Sequence, residues 1–299
     1  MPSPVLPATA TKPKTSGLFR LNWAWLGVVP FFIFAFMFLI LPTMTLVIGA
    51  FQDREGAFTF DNIARLNQPL IWASYKISLQ ISAASAILGG IIGFFLSQAV
   101  VGGGLPGWVR SSLMTFSGVA SNFAGVPLAF AFIATIGFNG LITVAFTKTF
   151  GFNPYRSGFS LLSFWGLTAT YCYFQIPLMI LILTPALDGL KKEWREASSI
   201  LGASSWQYWR HIAFPVLWPS LLGATLLLFA NSFGAIATAY ALTGSSFNIV
   251  TILLYAQIQG DVLHDQNLGY ALALGMIVIT GLSNFTYIWL RGRAERWIK

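Results

Sequence analysis

Six long apolar segments, separated by shorter polar ones, form the pattern of this 299-residue chain. A helix that crosses a bilayer needs about 20 mostly apolar residues. Each of the six reaches that length with an interior nearly free of charge, and the exception, Lys76, lies close enough to a helix end to extend toward the headgroups. The pattern predicts an all-α integral membrane protein with six transmembrane helices. They cover Trp25–Ala50, Ile71–Val100, Ser111–Gly137, Leu161–Ala186, Val216–Leu242 and Leu268–Leu290.

Charge is unequally divided between the two sets of segments that connect these helices. One set, termed the basic face, contains both termini and the second-to-third and fourth-to-fifth connections, with 12 of the 17 basic and four of the nine acidic residues. The other set, termed the neutral face, contains five basic and five acidic residues. Because cytoplasmic loops are rich in Lys and Arg, both termini are predicted to be cytoplasmic. The net charge of +8 therefore reports orientation, and no nucleic acid is expected as a partner.

This topology divides the chain into four predicted regions. Residues 1–22 form a disordered cytoplasmic tail, and residues 23–70 form the first transmembrane helix and an external loop. Residues 71–290 form the transmembrane core, including a loop over residues 187–215, and residues 291–299 form a basic cytoplasmic tail. The first apolar stretch is too long for a signal peptide and no small-x-small cleavage site follows it, so we expect it to be retained.

Composition excludes several classes of protein. Charged residues make up 9% of the chain, against about 25% in soluble domains. The single cysteine, Cys172, excludes an intramolecular disulfide and a cysteine-based metal cluster. A phosphate-binding Walker A loop needs a Gly-Lys dipeptide, which the chain lacks. We expect neither an enzyme nor a cofactor-binding chain.

Small residues and prolines predict irregular or closely packed helices. Gly89 and Gly93, four residues apart in the second helix, predict close approach of a neighbouring helix. Pro127, Pro177 and Pro185 lie in or near helices and predict kinks or breaks. These signals concern packing and do not by themselves indicate a site.

The longest connection on the basic face, Leu187–Phe214, predicts two short helices around a glycine. Asp188 is a candidate N-cap of the first helix, and Gly202 a left-handed stop after it. Ser204 and Gln207 fit a capping box for the second helix, and Pro215 suits the first turn of the fifth membrane helix. One face of the first loop helix is apolar and carries Leu190, Trp194, Ala197 and Leu201.

Seven residues in this region follow a spaced motif: Glu196, Ala197, Ser198, Gly202, Ile212, Phe214 and Pro215. The spacing resembles the EAA loop of permease subunits of binding-protein-dependent ABC importers, with Ser198 at the third, small position and Phe214 in place of Leu. The resemblance covers about residues 71–290. It implies the type I ABC importer permease fold and a multi-pass protein of the bacterial inner membrane.

The resemblance also implies a mechanism and partners. In this family the loop docks as a coupling helix on a separate ATP-binding subunit, present in two copies, which binds ATP and Mg. Glu196 would supply charge, Ala197 close approach and Gly202 the bend. Further implied partners are a second permease subunit of different sequence, an extracytoplasmic solute-binding protein and membrane lipid. The alternative interpretation of the loop is a solvated amphipathic helix.

Two later stretches, Asn231–Thr243 and Asn267–Leu274, resemble permeases for spermidine/putrescine-type uptake. Permeases for iron(III), thiamine and phosphonate share much of this pattern and remain alternatives. An ion-coupled secondary transporter and a non-transporting assembly factor are the alternatives from other classes. Secondary transporters often place ionisable residues at mid-membrane, and no acidic residue lies inside a predicted span here.

Polar residues in the predicted spans are candidates for a substrate path, since polar groups in hydrocarbon are costly unless partnered. The alternative is hydrogen bonding between helices, worth roughly 0.6–2 kcal/mol each. The candidates are Asn122, Gln175, Asn231, Ser232, Thr238 and Tyr240.

Overall fold

The computed structural model describes residues 24–244, 246–259 and 265–294. The predicted tail over residues 1–22 and residues 295–299 of the predicted basic tail lie outside these ranges. The chain divides into two compact units, Met1–Thr45 and Leu46–Lys299. Regular structure in the described ranges is helical, apart from one isolated antiparallel bridge between Gln52 and Phe58.

The helices follow one another in this order. Helix α1 covers Ala24–Ala35 and leads through a π-helical turn over Phe36–Ile40 into α2, Leu41–Gly49. The next five are α3 (Asp61–Arg65), α4 (Pro69–Gly102), α5 (Gly107–Asn122), α6 (Val126–Ile136) and α7 (Leu141–Phe150). A 3-10 turn over Pro154–Ser157 precedes α8 (Phe164–Asp188) and α9 (Lys192–Ile200). The last five are α10 (Ser205–Tyr208), α11 (Phe214–Phe233), α12 (Ile236–Thr243), α13 (Val250–Gln259) and α14 (Gln266–Ala294).

Six helical stretches of the described chain are long and apolar enough to cross a membrane, as predicted. Four of them agree with the predicted spans to within a few residues: Gly27–Gly49, Pro69–Gly102, Phe164–Asp188 and Gln266–Trp289. The all-α membrane architecture is therefore confirmed. The third and fifth predicted spans differ from the structure.

The predicted third span, Ser111–Gly137, is wrong as a single helix. Helix α5 ends at Asn122 and α6 begins at Val126, because Gly125 adopts φ 77°, ψ −149°, a backbone conformation that residues with a Cβ rarely reach. Pro127 lies in the first turn of α6, directly after this break. The apolar stretch also continues through α7, so the long apolar segment is Val126–Phe150.

The predicted fifth span, Val216–Leu242, is also wrong at both ends. The helix begins at Ser205, continues through a π-helical turn over Trp209–Ala213 and ends at Phe233, after which α12 is a separate short helix. Pro215 lies in the first turn of α11, as predicted, but the helical run continues back from α11 through the π turn to Ser205. A π turn widens the helix just before the proline ring, which otherwise clashes with the carbonyl four residues earlier.

Helix α4 packs closely against α8 through the two predicted glycines. A Cβ added to Gly89 would lie 2.8 Å from the Cβ of Gln175, and one added to Gly93 would lie 2.5 Å from the Cβ of Met179. Both distances are shorter than van der Waals contact, so only glycine permits this approach. The predicted close packing is confirmed, and α8 contains Pro177 and Pro185 without interruption.

Two ion pairs agree with the division into two faces. Arg110 in α5 pairs with Asp188 at the end of α8, and both were placed on the basic face. Arg65 in α3 pairs with Asp265 before α14 at 2.7 Å, and both were placed on the neutral face. Each pair joins two segments predicted to share a side, which supports the helix order across the membrane.

Candidate functional site

The loop on the basic face folds as a helix, a glycine turn and a second helix. Its first helix, α9, begins at Lys192 with Lys191 as N-cap. Asp188 was predicted to be that N-cap and is instead the last residue of α8, where Arg110 holds its carboxylate. The predicted helix is confirmed, but it begins four residues after the predicted N-cap.

Gly202 ends α9 in the predicted manner. Its φ is 77°, in the left-handed region. The amide of Ala203 donates to the carbonyl of Ser198 at 2.9 Å, and the amide of Gly202 donates to Ser199 at 3.0 Å. These two bonds form a Schellman motif, which satisfies carbonyls that the helix end leaves free. The turn therefore has a defined geometry and is not a loose hinge.

The predicted capping box starts the second helix. The amide of Gln207 donates to Oγ of Ser204 at 3.3 Å, and the amide of Ser204 donates to Oε1 of Gln207 at 2.7 Å. The helix then runs without interruption from Ser205 to Phe233. At 1.5 Å per residue, 29 residues span about 43 Å. One rigid element therefore connects the loop to the interior of the membrane domain.

Four of the seven motif residues line one apolar cavity of about 720 Å³ between α9 and this long helix, termed the coupling cavity. They are Ala197, Ser198, Ile212 and Pro215. Trp194 and Leu201 also line it, so three of the four residues predicted for the apolar face of α9 share one surface. Leu190 lines a different groove, so its placement on that face was wrong.

The other three motif residues lie apart from the coupling cavity. Glu196 is exposed and lines the opposite side of α9. Gly202 forms the turn, and Phe214 packs its ring on Trp218 with centroids 5.2 Å apart. Sequence reasoning assigned these seven residues to one role, whereas the fold distributes them over a cavity, a turn and an exposed helix face.

The tip of the loop exposes large apolar side chains that the sequence analysis did not single out as a group. Ile200 and Leu201 are each 86% exposed, and Trp206 is 72% exposed. Buried apolar area is the main driving force for protein association, and such residues on both sides of a glycine turn are typical of a contact surface. The available signal was their position on either side of Gly202.

Each of the two helix breaks inside the membrane domain is hydrogen-bonded to a neighbouring helix. The amide of Gly125, in the α5–α6 break, donates to Oγ1 of Thr238 in α12 at 2.7 Å. The hydroxyl of Tyr171 in α8 donates to the carbonyl of Ala235, in the α11–α12 break, at 2.7 Å. Broken helices are stable at membrane depth when neighbouring helices satisfy the freed backbone groups, and these two bonds do so.

Three of the six candidate path residues are buried and bonded between helices. Ser232 in α11 shares a hydrogen bond with Ser85 in α4 at 2.7 Å, and Gln175 in α8 donates to the same Ser85 hydroxyl at 3.1 Å. Thr238 bonds the break at Gly125. For these three, the structure shows the interhelical hydrogen bonds that were the alternative interpretation.

The other three candidates, Asn122, Asn231 and Tyr240, are exposed in this single chain. Asn122 is the last residue of α5 and donates back to the carbonyl of Gly118 at 2.9 Å. Asn231 lies three residues before the break at Gly234, and Tyr240 packs near Tyr255. Their role in a path stays a prediction.

Asp265 is the titratable group on the neutral face with the clearest perturbation. Burial by itself would raise the pKa of its carboxyl. The hydrogen bond and charge of Arg65, together with the backbone amide of Leu268, outweigh that effect and lower the pKa below its ordinary value. The ion pair therefore favours the charged form and ties α3 to the start of α14.

Residues 89–299 match a family described as binding-protein-dependent transport system inner membrane component. The chain is 25% identical over 271 residues to the putative ferric transport system permease protein FbpB 1 of Haemophilus influenzae, covering 87% of this chain. It spans only 40% of that protein's length. It is 23% identical over 232 residues to the sulfate transport system permease protein CysT of Salmonella typhimurium, covering 76% of this chain and 78% of that one.

Solved structures share the fold. A bacterial ABC transporter involved in the import of the acidic polysaccharide alginate aligns with a TM-score of 0.67 at 15% identity, over 92% of this chain and 96% of that chain. The MetNI methionine ABC transporter in inward facing conformations aligns with a TM-score of 0.53 at 14% identity, over 76% and 99%. The predicted ABC permease fold is confirmed.

Proposed function

Because this chain belongs to the family of binding-protein-dependent transport system inner membrane components, we propose that it is the permease subunit of an ABC importer, driven by ATP hydrolysis on a separate subunit. The observation that carries the proposal is the loop. Motif residues line the coupling cavity, and the Schellman motif and capping box join α9 rigidly to the helix over Ser205–Phe233.

The structure supports a direct mechanical route. A force applied to α9 moves the glycine turn, and the turn moves the helix from Ser205 to Phe233 as one body. The far end of this helix is the break at Gly234, which is tied to the break at Gly125 through α12. We propose that ATP-driven displacement of the loop is delivered to these two breaks, where the helices change direction.

Exposed polar side chains near the breaks support a path at this place. Asn122, Asn231 and Tyr240 are exposed in an apolar helical domain. The amide nitrogen of Asn122 bonds Gly118, but contact with lipid would leave other polar atoms of these side chains without partners. Polar groups at membrane depth line water-filled cavities or contact another protein chain. We propose that they face a shared path completed by a second permease subunit of different sequence.

The remaining partners are proposed on the same basis. The exposed apolar tip at Ile200, Leu201 and Trp206 is suited to a groove on an ATP-binding subunit, of which two copies bind ATP and Mg. An extracytoplasmic solute-binding protein delivers the solute at the neutral face. In this orientation the basic face is cytoplasmic, as its charge surplus predicts.

The proposed substrate is a small solute selected mainly by the binding protein. The spermidine/putrescine-type substrate predicted from two sequence stretches has no support in the names of the similar permeases reported above, which are ferric and sulfate permeases. Among the described spans the one carboxylate is Asp188, which is the last residue of its span and already pairs with Arg110, so it is not available inside the membrane to a polyamine. Iron(III), one of the alternatives, is therefore favoured over polyamines, and sulfate becomes a further candidate.

Reconstitution tests the function. The chain is purified with its ATP-binding subunit and partner permease, and uptake into vesicles is measured with ATP and the solute-binding protein. We expect Glu196→Gln and Gly202→Ala to reduce ATP-driven uptake. Glu193→Gln, on the same helix, and Gly151→Ala, at another positive φ with open space around it, are matched controls and keep full uptake.

Three outcomes would contradict the proposal. Wild-type uptake and ATPase association in both the Glu196 and Gly202 variants would remove the loop from coupling. Uptake driven by an ion gradient without ATP would favour a secondary transporter. No uptake by the complete complex would favour an assembly factor. Separately, unchanged uptake by Asn231→Leu in a normally assembled complex would remove that residue from the path.

A further inference from the structure

A second concave surface lies on the other side of α9, between that helix and the ends of α4, α5 and α8. It encloses about 910 Å³ and is termed the basic groove. Six charged residues line it: Arg110, Lys191, Lys192, Arg195, Asp188 and Glu196. Four cations and two carboxylates leave the groove with a net charge of +2. Glu196 and Ile200, which the proposed coupling mechanism uses, lie along this groove, whereas Lys192 and Arg195 have no assigned part in coupling.

The surplus charge is concentrated on α9. Arg110 is neutralised by its ion pair with Asp188, and the ammonium of Lys191 lies 5.8 Å from the ring centroid of Trp194. Lys192 and Arg195 lie one turn apart on α9, both exposed. Within the described part of the chain, neither side chain forms an ion pair. They are therefore the two cations available to an anionic ligand.

The groove opens where the membrane helices end. Its walls include Gly102, the last residue of α4, and Asp188, the last residue of α8. Trp108, in the first turn of α5, is 74% exposed, and Trp209 lines the groove itself. Tryptophan concentrates at the membrane–water interface, so the groove lies at the level of lipid headgroups.

The glycine-rich loop after α4 forms one edge of the groove. Gly102 and Gly104 both line it, and Gly104 has φ 63°, a left-handed conformation that favours glycine. A Cβ on Gly104 would meet no atom within 4 Å, so the space beside this loop is empty. This open space beside Gly104 leaves room for a ligand at that edge of the groove.

We propose that the basic groove binds the phosphate of an anionic phospholipid headgroup from the leaflet at the basic face, through Lys192 and Arg195. Basic pockets at this level between membrane helices bind anionic headgroups through charge attraction. The basic groove and the coupling cavity lie on opposite faces of α9 and share Tyr208 as a lining residue. A bound lipid would set the resting position of α9 relative to the membrane helices.

Native mass spectrometry of the full chain in detergent tests the site. The probes are phosphatidylglycerol, phosphatidylcholine of the same acyl chains, and inorganic phosphate as competitor. We expect wild-type protein to retain phosphatidylglycerol in preference to phosphatidylcholine. Each basic residue near an anionic surface contributes about fivefold in binding, so the double variant Lys192→Gln, Arg195→Gln is expected to bind about 25-fold more weakly.

The matched control is the double variant Lys148→Gln, Arg156→Gln, which removes the same charge from the neutral face and keeps wild-type binding. Thermal unfolding of both variants verifies that they are folded. Displacement of phosphatidylglycerol by millimolar phosphate identifies the headgroup phosphate as the bound group, and retention identifies a site that also needs the lipid's glycerol. Either result supports a phosphate site.

Four results would overturn the proposal. The first is that the wild type retains phosphatidylglycerol and phosphatidylcholine equally, and the second is that the Lys192/Arg195 double variant binds phosphatidylglycerol as tightly as the wild type does. The third is that the control double variant loses as much binding as the Lys192/Arg195 variant. The fourth is that the double variant is unfolded while the single variants Lys192→Gln and Arg195→Gln are folded and bind normally. If the double variant instead loses its ATP-binding subunit while retaining lipid, the groove is a protein-docking surface and the lipid site is rejected.

Discussion

Replacing Gly93 by alanine tests the close packing of α4 on α8. The added methyl group would lie 2.5 Å from the Cβ of Met179, 2.7 Å from its Cγ and 3.1 Å from the carbonyl oxygen of Ile176. The carbonyl belongs to the backbone of α8 and cannot rotate away. The two helices must therefore separate by about 1 Å to reach ordinary contact distance, since interiors are close-packed.

The expected cost follows from two opposing effects. Overpacking a tight contact costs about 1–3 kcal/mol. Alanine in place of glycine inside a helix stabilises the folded state by up to about 1 kcal/mol. Separation of the helices also lengthens the bond from Gln175 to Ser85, now 3.1 Å. We expect a net destabilisation of about 1–2 kcal/mol, which for a chain of this size lowers Tm by about 2–8 °C.

The assay is thermal unfolding of the detergent-solubilised chain, followed by tryptophan fluorescence and by recovery on size exclusion. Gly118→Ala on α5 is the control, because a Cβ there meets no atom within 4 Å. Its Tm is expected to stay level or rise. A Tm for Gly93→Ala equal to or above that of Gly118→Ala would refute the packing argument, and Gly93→Val gives a further, larger decrease if it is correct.

Three further predictions concern the loop, the neutral face and the helix breaks. Ser204→Ala removes the capping box and costs about 1 kcal/mol locally, seen as faster hydrogen exchange at the start of α10; unchanged exchange would contradict the cap. The pKa of Asp265 is lowered, so its ion pair with Arg65 stabilises α3 above about pH 4 and is lost below that pH. Proteolysis of α3 in the wild type should therefore increase in acid. In Arg65→Gln, which lacks the pair at every pH, acid should cause no further increase. Thr238→Val leaves the Gly125 amide unpaired and lowers Tm, whereas Thr238→Ser keeps the bond and most of the stability; equal Tm values would refute its role.

Local features of the loop and the packing glycines were predictable from sequence. Capping depends on residues within one turn, so Ser204 with Gln207, and Gly202 after α9, act through bonds to their own neighbours. Close packing at Gly89 and Gly93 was predictable because a four-residue spacing places two glycines on one helix face. Each of these signals is short-range, and each was confirmed.

The sequence by itself determined the number of membrane helices and their order, because crossing a bilayer needs a fixed length of apolar chain and backbone bonds made within each helix. Tertiary structure decided where two of these helices break. Gly125 and Gly234 each follow a polar pair, Ser121-Asn122 and Asn231-Ser232, but polar residues within a span equally fit hydrogen bonding between helices, so the sequence alone does not mark a break there. The breaks persist because Thr238 and Tyr171, distant in sequence, bond the freed backbone groups.

The same limit applied to the polar candidates. Asn122 and Gln175 look alike in sequence, yet one is exposed beside a break and the other is buried against Ser85. Likewise, α9 reads as one amphipathic helix, but only the fold shows that Ala197 lines the coupling cavity and Arg195 the basic groove. The surface that a residue contributes to depends on which helices pack beside it in the folded chain. The periodicity of apolar residues does not reveal those neighbours.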